Sequence, residues 1–179
     1  MGLLTVMHLF FKRGKRMKKA WLTLLTVITL VAVSIAAAPV KATLSMYAGK
    51  SEYVGDVSVS CDGTYLYITI STIGDWVLTE THLAVATSLE GIPQTKSGNP
   101  KVGRFPYKHE DLGGVPSDPY TIALSEIGAS SGDLLYIAAH AVVWNPCLRQ
   151  EETGWVVNDC TPEYFSGNSW ATYFTYLCP

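Results

Sequence analysis

The chain has 179 residues, with 13 Lys and Arg against 15 Asp and Glu and a formal net charge of −2. The charge is unevenly placed. Seven of the thirteen cations lie in the first 42 residues, which hold no Asp or Glu, so the other 137 residues set six cations against fifteen acids and carry −9. Such an acidic body argues against a nucleic-acid partner, whose binding rests on phosphate neutralisation by Lys and Arg, and it is long enough for the core of one domain.

The first element in the chain is a basic cluster, Lys12, Arg13, Lys15, Arg16, Lys18 and Lys19, followed by an apolar stretch from Ala20 to Val40. Small residues close it, and Val40-Lys41-Ala42 has the form of a signal-peptidase site. Residues 1–42 therefore read as an N-terminal signal segment. Met17 opens a compact version of the same pattern and is the expected physiological start. The rival reading is an uncleaved membrane anchor, since about 20 apolar residues span a bilayer. Thr23, Thr26, Thr29 and Ser34 within the run favour the signal segment. Either way the body, residues 43–179, is expected outside the cytoplasm, secreted or at the cell surface. Membrane contact is expected only if the segment stays uncleaved.

In the body, Tyr53–Ser60 alternates around Val57 and Val59. Thr64–Thr72 places Leu66, Ile68 and Ile70 on one face and Tyr65, Tyr67 and Thr69 on the other. Cys61-Asp62-Gly63 between them predicts a tight hairpin turn. Further strands are expected at Trp76–Thr87, Tyr120–Leu124, Leu134–Trp144 and Trp170–Leu177, with one helical turn at Ser125–Ile127. Several strands, many turn signals and no amphipathic helix predict an all-β domain, an antiparallel β-sandwich or jelly roll. Two long loops complete it. Ser88–Pro119 carries five glycines and five prolines; Asn145–Ser169 is the second. Loops beyond about 12–15 residues in compact domains are usually functional or disordered. The first is expected to be ordered, because Phe105, Tyr107 and His109 give it something to pack with.

Four cysteines, Cys61, Cys147, Cys160 and Cys178, predict two disulfides in an exported chain, with three connectivities open. Spacing favours Cys147–Cys160, which would pin the second loop, and Cys61–Cys178, which would join the hairpin turn to the last strand. No Cys-x-x-Cys pair of a zinc pattern occurs.

Three groups of residues are candidates for function. Glu80 and His82 point to the same side of their strand. His140 lies on the face of its strand shared by Tyr136, Ala138, Val142 and Trp144. If the two strands are neighbours, Glu80, His82 and His140 converge, and Glu151 and Glu152 complete a divalent-metal site. Mixed His and carboxylate ligands suit zinc or manganese, and oxygen ligands alone suit calcium. The plain alternatives are a polar outer strand face and a hydrogen-bonded structural histidine. Trp144, Trp155 and Trp170 lie near loop ends and are candidate ligand-binding platforms for glycans, against core filling and loop anchoring. No catalytic residue is singled out: bridged cysteines leave no thiol nucleophile, and His-Glu-x-x-His is absent.

The motif Trp76-Val77-Leu78-Thr79-Glu80-Thr81-His82 resembles one in a family of exported prokaryotic β-rich modules with no established activity. So do Gly91-Ile92-Pro93-Gln94-Thr95-Lys96-Ser97-Gly98-Asn99-Pro100 and Gly103-Arg104-Phe105-Pro106-Tyr107-Lys108. The similarity continues through Ile137-Ala138-Ala139-His140-Ala141-Val142-Val143 and Glu151-Glu152-Thr153-Gly154-Trp155, and closes on Asn168-Ser169-Trp170-Ala171-Thr172-Tyr173-Phe174. It implies an extracellular β-rich module; the cysteines are not part of the pattern, so their pairing rests on spacing. The function expected is a secreted or cell-surface structural or binding module that associates with itself or with cell-envelope components, with divalent cations. The alternative is a carbohydrate-binding module, and the third choice a metal-dependent hydrolase.

Overall fold

A computed structural model describes residues 40–179. The signal segment therefore lies outside the described residues up to position 39. Its last residue, Ala42, opens the first strand. Among the described residues no helix is long and apolar enough to cross a membrane.

Ten strands follow one another: β1 (Ala42–Ala48), β2 (Glu52–Cys61), β3 (Tyr65–Thr72), β4 (Val77–Ala86), β5 (Tyr107–His109), β6 (Ser117–Ala123), β7 (Leu134–Asn145), β8 (Gln150–Val157), β9 (Glu163–Tyr164) and β10 (Thr172–Leu177). Short 3₁₀ turns sit at Leu89–Gly91, Val102–Arg104 and Leu124–Ile127. The expected all-β antiparallel fold is present. Eight strands run in the order β5-β4-β7-β8-β1-β2-β3-β6, and β10 pairs with β7 and β9. The sheet curls, because the segment from β5 to β6 crosses from one edge to the other. Leu112 N donates to Thr79 O, Leu78 and Val115 exchange both backbone bonds, and Thr72 N donates to Pro116 O. Strand β6 then pairs with β3. One covalent run thus pairs with the outer sides of both β4 and β3, which would otherwise be open to pairing with another chain.

The inner face of the curl holds the main core, with Val57, Val59, Leu66, Ile68, Ile70, Leu78, Leu83, Ile137, Val143, Val156 and Phe174 buried. The alternation of β3 is as predicted, with Tyr65 and Tyr67 outside. The hairpin turn is also as predicted: Asp62 Oδ1 accepts from the amides of Thr64 and Tyr65, and Gly63 takes φ +85°. In β2, Gly55 lies so close to β3 that a Cβ there would sit 1.9 Å from the Ser71 carbonyl oxygen. A bulge at Thr79 breaks the alternation of β4, so Leu78 enters the main core with Leu83 and Val85.

A second, smaller core lies on the outer face. Ala84 of β4, Ala138 of β7 and Trp155 of β8 meet Ile92 and Phe105 from the first loop, Phe165 from the second, and Ala171 just before β10. The two loops are also tied to each other. Gly167 N donates to Gly98 O at 3.3 Å, and Ser169 N donates to Asn99 Oδ1 at 3.0 Å. Gly98, at φ +80°, has no room for a side chain, since a Cβ would lie 2.0 Å from Ser166 Oγ.

Both loops are shorter than predicted because strands run inside them. Strand β8 occupies the middle of the second. This also corrects the cysteine pairing. Cys61 and Cys178 are bridged, with Cα atoms 5.4 Å apart, but Cys147 and Cys160 are free and exposed. They flank the two ends of the eight-residue β8. At about 3.3 Å per residue the strand holds them more than about 20 Å apart, far beyond the ~7 Å limit between Cα atoms of a bridge.

The Cys61–Cys178 bridge spans a sequence separation of 117 residues. In the chain-entropy model a loop of that length is worth about 5 kcal/mol. The Cys61→Ser/Cys178→Ser variant should therefore unfold at a clearly lower urea concentration than the wild type. An unchanged midpoint would remove the bridge from the account of stability.

Candidate functional site

Strand register aligns six side chains in one row across the outer face. Lys108 of β5 faces His82 of β4, His82 faces His140 of β7, and His140 faces Trp155 of β8. Trp155 faces Tyr47 of β1, and Tyr47 faces Tyr53 of β2. The row has a histidine end and a tyrosine end, separated by Trp155.

At the histidine end, the His82 and His140 rings lie 5.6 Å apart and His140 meets the edge of Trp155 at 4.9 Å. Both histidines are buried, at 5% and 8% exposure, and neither Nδ1 has a hydrogen-bond partner. His82 Nε2 lies 3.7 Å from Glu110 Oε1 and 4.0 Å from Glu80 Oε2. Lys108 Nζ binds Glu110 at 2.9 Å, and that bond is the main cause holding the Glu110 carboxyl below its ordinary pKa. Burial, with His82 as a lesser cause, pushes His140 down to about 4, so its imidazole is neutral near pH 7.

Glu80, His82 and His140 are thus neighbours, but the predicted five-residue metal set is not assembled. Glu152 and Glu151 stand in register with Val143 and Trp144, three and four residues along β8 from Trp155, or about 10 Å and more. Glu152 instead accepts from Gln150 Nε2 at 3.0 Å. Among the described residues no group of three or more His, Cys, Asp or Glu is placed to hold a metal ion.

The tyrosine end opens onto a groove. Strand β7 pairs with β8 through His140–Asn145 and with β10 through Leu134–Ile137. The two partners diverge there, and the Thr172 hydroxyl holds them together by donating to Val156 O at 2.7 Å. Over this notch lies a groove of about 310 Å³ lined by Tyr47, Lys50, Val157, Tyr164, Trp170 and Thr172. Each wall is set by local structure. The Tyr47 hydroxyl donates to Asp159 Oδ1 at 3.1 Å, and Ser45 Oγ donates to Asp159 Oδ2 at 2.6 Å. Tyr164 is placed by the pairing of β9 with β10. Of the three predicted tryptophans only Trp170 lines the groove. Trp155, at 6% exposure, is the centre of the outer core, with Phe105 and Phe165 each 6.4 Å from it. Trp144 lies elsewhere on the outer face, in register with Val77 and Glu151. Tyr47 and Lys50 escaped sequence reading because β1 itself was not predicted.

A further polar cluster, also unpredicted, closes the seam between β4, β5 and β6. The Thr81 hydroxyl donates to Asp118, and the Tyr120 hydroxyl lies 2.6 Å from Thr81 Oγ1. His109 Nδ1 donates to Asp118 at 2.9 Å, and its ring stacks on Tyr120 at 4.7 Å. Burial pushes the Tyr120 phenol up to about 12, so it stays a hydrogen-bonding group at neutral pH. Every polar contact here runs between seam strands, which marks a structural closure. Gly128-Ala129-Ser130-Ser131-Gly132 spells the Gly-x-Ser-x-Gly pattern. It lies between a 3₁₀ turn and β7, without the strand-to-helix turn that a nucleophile elbow requires.

A scan against protein-family models, a search of curated proteins and a search of solved structures each found no match.

His140 gives a pH test. Its folded pKa of about 4 lies below the ordinary 6.5, so between those values the unfolded chain binds the extra proton. Its stability contribution is intact above pH 6.5 and is lost as pH falls toward about 4, a loss of roughly 3 kcal/mol. In urea titrations from pH 7.5 to 4, His140→Leu should show a shallower loss of stability than the wild type. Parallel curves would show that His140 is not the buried neutral base described.

Proposed function

We propose that the body is an extracellular binding module that takes a saccharide in the groove of Tyr47, Tyr164 and Trp170. The observation that carries this reading is the groove itself. Three aromatic rings line one concavity beside the buried hydroxyl-bearing Thr172 and the charged Lys50. A sugar ring has an apolar C–H face and a polar rim, and aromatic walls with a few polar groups match both. The groove's volume of about 310 Å³ falls within the roughly 300–1,000 Å³ range of small-molecule sites.

Export is part of the proposal. The Cys61–Cys178 bridge supports an oxidising compartment. So do the basic and apolar N-terminal segment and the similarity of the motifs to exported β-rich modules. On this reading the module recognises glycans of a cell envelope or matrix.

The test is an oligosaccharide array followed by calorimetric titration of the hits. Binding to at least one glycan class is expected, with at least tenfold weaker binding in Trp170→Ala and Tyr164→Ala. Tyr164 is 59% exposed, so its variant should melt like the wild type and separate lost binding from lost folding. A silent array, or full affinity in both variants, would overturn the proposal.

A further inference from the structure

We propose that Lys50 makes the groove selective for an acidic saccharide, with a sugar carboxylate seated on the Lys50 ammonium. This rests on the saccharide reading of the groove.

Three observations lead there. The first is charge. Lys50 is the one cation among the groove-lining residues, and no Asp or Glu is among them, so the wall is locally positive on a body that is acidic elsewhere. The second is pairing. Among the described residues Lys108 is held in a salt bridge by Glu110, and Lys50 is in none. The carboxylates on this side are engaged elsewhere: Asp159 accepts from the Ser45 and Tyr47 hydroxyls, and Glu152, whose carboxylate lies beside Gly49, accepts from Gln150 Nε2. Neither is ion-paired with Lys50, and the ammonium is left for a ligand.

The third is the backbone. Lys50 is in the β1–β2 turn, where Ser51 N donates to Ala48 O at 3.2 Å. Gly49 takes φ +52° and Lys50 φ +82°. A turn with positive φ at both central positions favours Gly at the second, as in Asn-Gly and Asp-Gly. Here the chain puts Gly first and Lys second, so a side chain sits in the left-handed region at the position best suited to glycine. Local propensity and sequence disagree at a residue that lines the groove. A side chain held in that region is a lead to function, and what this position supplies is a positive charge on the groove wall.

The experiment compares a uronate-bearing oligosaccharide with a neutral one of the same linkage and length, by calorimetric titration at low and high salt. The wild type should prefer the acidic sugar by about fivefold or more, and added salt should erode that preference, as expected for a solvent-accessible ion pair. Lys50→Asn and Lys50→Gly should bring the preference ratio to about one, and Lys50→Arg should keep it. Because glycine relieves the positive φ, Lys50→Gly should melt at or above the wild-type temperature, so its lost preference cannot be assigned to misfolding. A wild-type ratio near one with both sugars bound would overturn the role of Lys50 and leave the saccharide groove standing. An acidic preference that persists in Lys50→Asn and Lys50→Gly would do the same. Failure of both sugars to bind would overturn the groove reading and this inference together.

Discussion

The rest of the structure depends on the burial of the β4–β7 pair on both faces. Leu83, Ala139 and Ala141 face the inner core, while Ala84 and Ala138 face outward and are just as inaccessible. An antiparallel sheet commonly leaves one face to water, but this pair needs a second cover. The cover is the first loop and the 158–171 segment. Alanine on the outer face lets them come close, and Ile92, Phe105 and Phe165 fill the space around Trp155. Each buried large apolar side chain contributes about 1.5–3 kcal/mol, against an ordering cost of about 1–2 kcal/mol per backbone residue. Three such anchors alone do not offset the ordering of two loops. Mutual hydrogen bonds at Gly98, Asn99, Gly167 and Ser169, and the few side-chain-free residues that permit them, are part of the same solution.

This arrangement places the groove. A strand pairing with β8 through one half and β10 through the other leaves a notch. The same segment that covers the outer core continues over the notch and brings Tyr164 and Trp170 to it. Trp155 therefore supports the site from behind rather than forming its surface. The histidine pair belongs to the opposite margin of the cover, where the His140 ring lies against Trp155 and, among the described residues, no metal-ligand set closes around the two.

Strong alternation made much of the fold legible. The β2–β3 hairpin, β7 and the Cys61–Cys178 bridge follow from Leu66, Ile68 and Ile70, from the apolar run Ile137–Val143, and from Asp62-Gly63. Strand β8 was hidden because Gln150, Glu151 and Glu152 open it and Gly154 interrupts it. Gly154 is small for a reason invisible in the sequence: Met46 packs against it, at 3.3 Å from where a Cβ would stand. Missing β8 produced the Cys147–Cys160 pairing and brought Glu151 and Glu152 into a metal set they do not join. The neighbourhood of Glu80, His82 and His140 was legible because a period of two fixes faces. The Thr79 bulge, the Asp118 seam and the Lys50 wall were not, since each depends on which strands meet.

The coupling of the two loops through one outer core is the claim on which the site stands. Native-state hydrogen exchange of Phe105→Ala, compared with the wild type, tests it most directly. Phe105 is buried at 3% exposure and belongs to the first loop alone. The account predicts that amides in both covers, Thr95 and Lys101 in the first and Phe165 and Gly167 in the second, lose protection together. Those of β2 and β3 should keep theirs. Loss confined to the first loop, or equal loss across the whole sheet, would contradict it.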